Sequence, residues 1–589
     1  MNRKPHNFTG GILAAVLFLT ACGISVVSGC GSNYDERLST DESYEKVPVS
    51  SSFQVKDDNS LYYSPMENDV IYLTVGRNGT GSNEHTWKEI NEHPISWYDE
   101  NDTDLYDVDA LLQFGDEDGA LPESFGYDNV SANCSVRLYG ENASNRQQKS
   151  YRIKIKSGSG DVSGVQTFIL SKSFGDPFRF TNKLCFDLLS EIDPVLSVRT
   201  QMVHLYVKDE TEKSGELFVD YGLYTMIETV NKRYLKNRNL DTSGELYKAE
   251  SFDFGRHEDV IKQTTDASYN KQKFEELLKA KGSSDYSGLI NMLDAVNDES
   301  QDIEKVVKKY FDEDNIYTWM AFNILVGNKD TDTENFYIYS PTGSDKFYFI
   351  PWDYDGALRE DYELLKDADY SAGWNRGIHI YKQSKLFGRM MRNRHCSEKL
   401  SDRIDEVYDI LLSNDNIYRK ALGLSGETKN QLYSLPDMTF ARTTGSNYDE
   451  LIELLPQQID SNYDDFYASL EKPWPFHILE PISKDGDITL SWSDSFMIEK
   501  DVTYDVELSQ SWDFEQLLVS AENVKETSYN VGILPKGEYF ARVTAVSPEG
   551  NKQEAYEYYK TEKKTTVHGV ICFYVTDDGS VILSEFKDN

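Results

Sequence analysis

The sequence predicts an α+β protein, and three observations carry that expectation. From Val70 the chain reads as strands separated by polar insertions, residues 257–325 and 383–470 read mainly as helices with one hairpin between them, and beyond Pro473 it returns to short strands at sandwich spacing. The chain has 589 residues, with 60 Lys+Arg against 100 Asp+Glu, a net charge of −40. Such a balance repels phosphate backbones and anionic bilayers, which disfavours nucleic acid as a general partner and leaves only a local basic patch open. Its 39 Tyr and 28 Phe supply too much apolar mass for a disordered chain. Cys22, Cys30, Cys134, Cys185, Cys396 and Cys572 show neither C-x-x-C nor Cys/His spacing, which argues against a zinc site or a disulfide scaffold.

At the N-terminus Arg3 and Lys4 precede an uncharged run containing ILAAVLFL, the order of a secretory signal. Two lipoprotein boxes follow, Leu19-Thr20-Ala21-Cys22 and Val27-Ser28-Gly29-Cys30. Cys30 is the favoured lipidation site, with Cys22 the alternative, because cleavage there leaves a polar tether over residues 30–64 and removes residues 1–29 as the signal peptide. An uncleaved anchor is the competing reading, since the run is long enough to span a bilayer. Both readings export the body. The expected location is the outer face of a bacterial cytoplasmic membrane or the cell surface, with membrane contact through lipid alone.

In the body, IYLTVGRN and VDALLQFG are expected strands separated by the loop-rich HTWKEINEHPISWYDENDTD. SVRLYG, a polar loop and SYRIKIK form a strand pair in which Tyr151, Ile153 and Ile155 alternate with Arg152, Lys154 and Lys156, giving one apolar and one basic face. Thr181 is the expected N-cap of NKLCFDLLSEI. VHLYVKD and DYGLYTMIETV follow as strands, and FEELLKA, LINMLDAV, YTWMAFNILV and LSDRIDEVYDILL as helices. FYIYSPTGSDKFYFIPWDYDGAL is a hairpin turning at Thr342-Gly343. Beyond Pro473, Trp492, Tyr504, Leu534, Tyr539 and Arg542 resemble the fibronectin type III pattern over residues 473–566, a module that serves as a spacer or as an arm for protein or glycan. Residues 567–589 are expected as a terminal hairpin.

Chemistry concentrates at Asp330-Thr-Asp-Thr-Glu-Asn335 and at Asp353 and Asp355 past the hairpin. Asp330 and Asn335 stand five apart, a spacing that lets one carboxylate orient a hydroxyl while an amide and a second carboxylate hold Mg²⁺ on phosphates. A solvated acidic loop is the competing reading, because 100 acidic residues produce such pairs by chance. A Ca²⁺ loop lacks the Gly and terminal Glu that an EF-hand needs.

Over residues 70–394 the chain resembles the spore coat protein H (CotH) kinase family of atypical protein kinases, through RLYGENAS…QKSYRIKIK, FGDPFRFTNKLCFDLL, VHLYVKD…YGLYTMIETVNKRYLKNR, LYKAES and GNKDTDTENFYIY…KFYFIPWDYD in that order. The resemblance implies a bilobal protein-kinase-like domain at 65–472, with a strand-rich N-lobe at 65–255 and a helix-rich C-lobe at 256–472, followed by the small all-β sandwich. It further implies ATP and Mg²⁺ as cofactors and Ser or Thr of a secreted, surface or coat protein as acceptor. Arg137, Gly140 and Ser144 match the loop expected over the nucleotide phosphates, Lys149 and Lys154 the phosphate cations, and Glu228 the acid near adenine or ribose, with a structural salt bridge as the alternative for Glu228. Asp330 would be the catalytic carboxylate, Asn335 and Asp353 metal ligands, and Asp355 an additional or supporting ligand. Two departures stand out: the phosphate loop has a single glycine, and Asn328-Lys329 stands where a His-Arg pair is usual. A catalytically inactive, surface-tethered adhesin or scaffold is the alternative function.

Overall fold

The computed structural model describes residues 57, 60–63, 69–76, 85–211, 217–359, 376–561 and 565–584. The signal segment and both lipidation candidates, Cys22 and Cys30, lie outside the described residues. Among the described residues no helix is long and apolar enough to cross a membrane.

The N-terminal strands are β1 (Val70–Val75), β2 (Val108–Asp116), β3 (Gly119–Ala120), β4 (Cys134–Tyr139), β5 (Ser150–Ile155), β6 (Thr167–Ser171), β7 (Thr200–Asp209) and β8 (Val219–Glu228). They are ordered β1-β7-β8-β6-β5-β4-β2-β3, and β1 also pairs with β2. Seven strands therefore close into a barrel, which removes its own free edges. The alternation seen in the sequence sets its inside and outside: Ile71, Leu73, Val136, Tyr151, Ile153, Phe168 and Leu205 fill one core, while Lys154 on β5 is exposed on the other face. The segment expected as loop after β1 holds two short helices, Trp87–Glu92 and Ile95–Glu100. The first starts with a capping box between Thr86 and Glu89. Six residues are under two turns, too few for helical periodicity to show. Thr181 does not cap its helix. Phe180 takes that position, and the buried carboxylate of Asp176 accepts from the Thr181 amide at 2.7 Å and hydroxyl at 2.8 Å.

The second zone is built on a four-stranded sheet of β9 (Glu245–Ala249), β10 (Leu278–Ala280), β11 (Phe336–Ser340) and β12 (Tyr348–Pro351), ordered β10-β9-β11-β12. Against it packs the helix Glu313–Leu325, in which every residue from Asn315 onward is buried. A helix buried on all sides belongs in the middle of a core, and Trp319 at its centre stacks on Phe349 of β12 at 4.6 Å. Longer helices, Arg394–Leu412, Asn416–Leu432 and Gly445–Leu470, surround it.

Residues 476–583 carry a separate core of Phe476, Ile488, Leu490, Trp492, Tyr504, Val506, Tyr539 and Phe573 between two antiparallel sheets. The Tyr539 hydroxyl donates to the Pro535 carbonyl at 2.8 Å, locking the corner that precedes its strand. The segment 567–589, expected as a hairpin of its own, does form one between Val570–Val575 and Val581–Leu583. Its first strand pairs along Gly537–Arg542, so the hairpin completes the module's sheet.

Candidate active site

The buried helix ends at Leu325, and Gly327 at φ +64° turns the chain out of it. The next side chain, Asn328, is 1% exposed. Its amide nitrogen donates to the Asp353 carbonyl at 3.2 Å and its backbone amide to the Asn323 carbonyl at 2.9 Å. Asp330 follows in the 3-10 turn Lys329–Thr331, which the Thr331 hydroxyl closes onto the Asn328 carbonyl at 3.1 Å. Asn328 thus joins the Asp330 turn to the hairpin's far end.

That hairpin gathers the other acids. β11 and β12 pair Phe336 with Pro351, so Asn335, just before β11, and Asp353, just after β12, emerge at the same end. Both adopt left-handed backbone, φ +60° and +52°, a conformation Asn and Asp tolerate best among non-glycine residues and one that marks functional turns. Asp353 Oδ1 accepts from Asn182 Nδ2 at 3.4 Å and from the Asp355 amide at 3.5 Å, while Asn182 Oδ1 accepts from the Tyr354 amide at 2.6 Å. A Cβ on Gly356 would lie 3.5 Å from Asp330 Oδ2, which brings the 353–356 turn against Asp330.

Crowding of negative charge is the site's main electrostatic property. Burial pushes the Asp353 carboxyl up, with Asp330 adding to it. The charge of Asp353, followed by burial, pushes Asp355 up to about 8. Burial and then Asp330 raise Glu334 as well. Lys248, opposite Tyr337 in the sheet, is the nearby cation that opposes both Asp353 and Glu334. It is held by Glu250 at 2.7 Å, which also takes Lys279 at 3.0 Å. Among the described residues no group of three or more His, Cys, Asp or Glu has metal-holding geometry. The donor set nevertheless fits a hard divalent cation: an amide oxygen and two mutually repelling carboxylates are the oxygen ligands Mg²⁺ takes, and a cation would relieve the repulsion that raises Asp355.

The remaining residues expected at the site fall in three places. Arg137 lies on β4 opposite Arg152, and Gly140, at φ +77°, opens the short helix Glu141–Ser144. Ser144 is turned into the fold: its hydroxyl donates to the Glu141 carbonyl at 2.6 Å and accepts from the Ile95 amide at 2.9 Å. Lys149 closes this loop by donating to the Ser144 carbonyl at 2.6 Å, and burial lowers its pKa. Glu228 is 3% exposed at the barrel's end, 3.0 Å from Arg238 and 3.4 Å from Arg199. Its oxygens are occupied by guanidinium groups, the salt-bridge alternative, and Asp57 completes the cluster on Arg238 at 2.8 Å. Sequence reasoning passed over Asn182 and Lys248 and recorded Asn328 only as a departure from the usual His-Arg pair. Each lies in a block already quoted for the resemblance, so the signal was present without a role attached to it.

A family model described as CotH kinase protein matches residues 136–464. No curated protein matches the chain. Among solved structures, an Fn3-like protein from Clostridium thermocellum is 22% identical, covering 15% of this chain and 94% of its own, with TM-score 0.12. The Helicobacter pylori proinflammatory kinase CtkA is 10% identical over 54% of this chain and 94% of its own, with TM-score 0.25. The HipA–HipB toxin–antitoxin complex of Shewanella oneidensis MR-1 with its operator DNA is 11% identical over 57% and 67%, with TM-score 0.22.

Proposed function

The chain belongs to the CotH kinase protein family, and from that premise we propose that it is an ATP- and Mg²⁺-dependent protein kinase that phosphorylates Ser or Thr of secreted, surface or coat proteins. Its two zones act as the lobes of a bilobal kinase-like domain, with the barrel over the helical half. The observation that carries the reading is the hairpin 336–351, which delivers Asn335 and Asp353 to one end and, through Asn328, beside Asp330. Asn335, Asp353 and Asp355 would hold Mg²⁺, which when bound supplies positive charge for the transferring phosphoryl group. Asp330 accepts the proton of the acceptor hydroxyl. Lys149 and Arg137 line the loop above, and Asn182 and Lys248 orient Asp353 and oppose the upward push of burial on its carboxyl. Placement at the cell surface by a lipid on Cys30 belongs to the same reading.

The test measures ATP affinity with and without Mg²⁺, together with phosphate transfer to a Ser/Thr-rich protein and to the enzyme itself. Asp353→Asn should lose Mg²⁺-dependent binding. Asp330→Asn should keep binding and slow transfer by roughly 10²–10⁴-fold, the usual contribution of a positioned proton acceptor. Unchanged binding and transfer in both variants would remove the kinase assignment, and loss of Mg²⁺-dependent binding in Asp330→Asn alone would reverse the two roles.

A further inference from the structure

The turn carrying Asp330 is held from behind by a segment distant in sequence. Asp332 is 7% exposed, and its carboxylate accepts from the Gln383 amide at 2.7 Å and the Ser384 amide at 3.0 Å. Beside them, Lys382 Nζ sits over the ring of Tyr556 at 5.6 Å. Tyr556 belongs to the C-terminal β module, where its amide donates to the Phe476 carbonyl at 3.0 Å and its ring lies 4.5 Å from His477. The module grips the same segment at both of its ends. Trp474 stacks on Phe496 at 5.1 Å and meets the buried His379 ring edge-on at 5.6 Å. Arg392, closing the helix Lys385–Arg392, lies 3.9 Å above the Phe496 ring and 3.1 Å from Asp494. Residues 379–392 are therefore clamped, with the Asp330 turn on one side and the module on the other.

We propose that the C-terminal module is a positioning element of the active site: through Tyr556 and Lys382 it fixes residues 382–384, and through the two hydrogen bonds that the Gln383 and Ser384 amides donate to Asp332 these fix the turn that carries Asp330. The inference rests on the proposed role of Asp330. A spacer needs only a flexible join, whereas this junction is built from a stacked aromatic pair, a guanidinium on its face and a second contact at Tyr556, enough to hold one orientation. Misplacing a reacting group by about 1 Å can cost up to 10²-fold in rate, so a clamp of this kind would act on turnover and leave nucleotide binding alone.

The experiment uses the full chain with Tyr556→Ala, Tyr556→Phe and Lys382→Met. It reads amide hydrogen exchange over 329–335 and 382–384, ATP affinity, and kcat and KM for transfer. Tyr556→Ala should speed exchange in both segments and lower kcat by roughly 10- to 100-fold with ATP affinity unchanged. Tyr556→Phe, which keeps the ring under Lys382, should restore both. Lys382→Met gives the same exchange readout if the alanine variant does not fold. Unchanged exchange over 329–335 in folded Tyr556→Ala or Lys382→Met overturns the proposal, as does failure of Tyr556→Phe to restore it. Exchange needs no turnover, so an inactive wild type would count against the kinase reading while the exchange data still decide the coupling.

Discussion

Asp332 and Asp355 show how burial and a neighbouring negative charge convert ordinary carboxylates into groups that resist ionisation. Burial pushes Asp332 up to about 7 and the charge of Asp353 pushes Asp355 up to about 8, against about 3.9 in an unfolded chain. The folded state then holds protons that the unfolded state has released, so their contribution is fully present below about pH 4 and is lost as pH rises through 7 and 8. Melting temperature should fall between pH 5 and 8, and Asp332→Asn should flatten part of the fall. A pH-independent melting temperature would contradict both assignments. Glu228 represents the opposite case. Arg238 is fully buried with Glu228 and Asp57 on it, so Arg238→Ala takes Asp57's guanidinium away and leaves Glu228 with Arg199 alone, and should cost about 3–5 kcal/mol in denaturant unfolding. Glu228→Gln should leave ATP affinity unchanged, because its oxygens face arginines; a large loss of affinity would return Glu228 to the nucleotide site.

At the scale of the element, two glycines with the same backbone hand differ in what surrounds them. Gly343 turns the β11–β12 hairpin at φ +78° with open space where a Cβ would go, whereas a Cβ on Gly222 in β8, φ +77°, would meet Asp437 Oδ2 at 2.0 Å. Asp437 is the buried partner of Lys172 at 2.8 Å and joins the barrel to the turn Asp437–Phe440. Gly343→Ala should therefore cost about 1 kcal/mol of backbone strain. Gly222→Ala should cost about 3–5 kcal/mol, the scale of a broken buried ion pair. Equal losses in urea titrations would mean that the Lys172–Asp437 pair carries little of the junction. The hairpin was legible because apolar runs flank Thr342-Gly343, and β5 because its alternation is regular. The helix Trp87–Glu92 was not, because its only strong signal is the Thr86/Glu89 box.

For the whole molecule, a chain of net charge −40 has little attraction for an anionic bilayer, so retention at a membrane should depend on acyl chains. One chain binds marginally, while two or more give a stable anchor. Cys30→Ser should release the protein or leave it unprocessed, as fractionation of cells labelled with a palmitate analogue would show. Continued labelling of Cys30→Ser with loss in Cys22→Ser would move the cleavage site. At this scale too, the C-terminal module has a core of its own, yet Trp474 packs into the main core of the helical zone, so its surface and that of residues 379–392 are shared.

The sequence by itself determined the order of strand-rich, helix-rich and sandwich zones, because periodicities of two and of 3.6 residues are local properties of the chain. It also singled out Asp330, Asn335 and Asp353, since the spacing and order of oxygen donors survive in one dimension. Only the tertiary structure decided that β1 closes on β2 into a barrel, that Ser144 and Glu228 turn into the fold, and that Asn328, Asn182 and Lys248 surround Asp353. The hydrogen bonds that Asn328 and Asn182 make to Asp353 join residues 25 and 171 positions apart. Such contacts form only when buried polar groups seek partners across the whole chain, and no local pattern records which partner each will find.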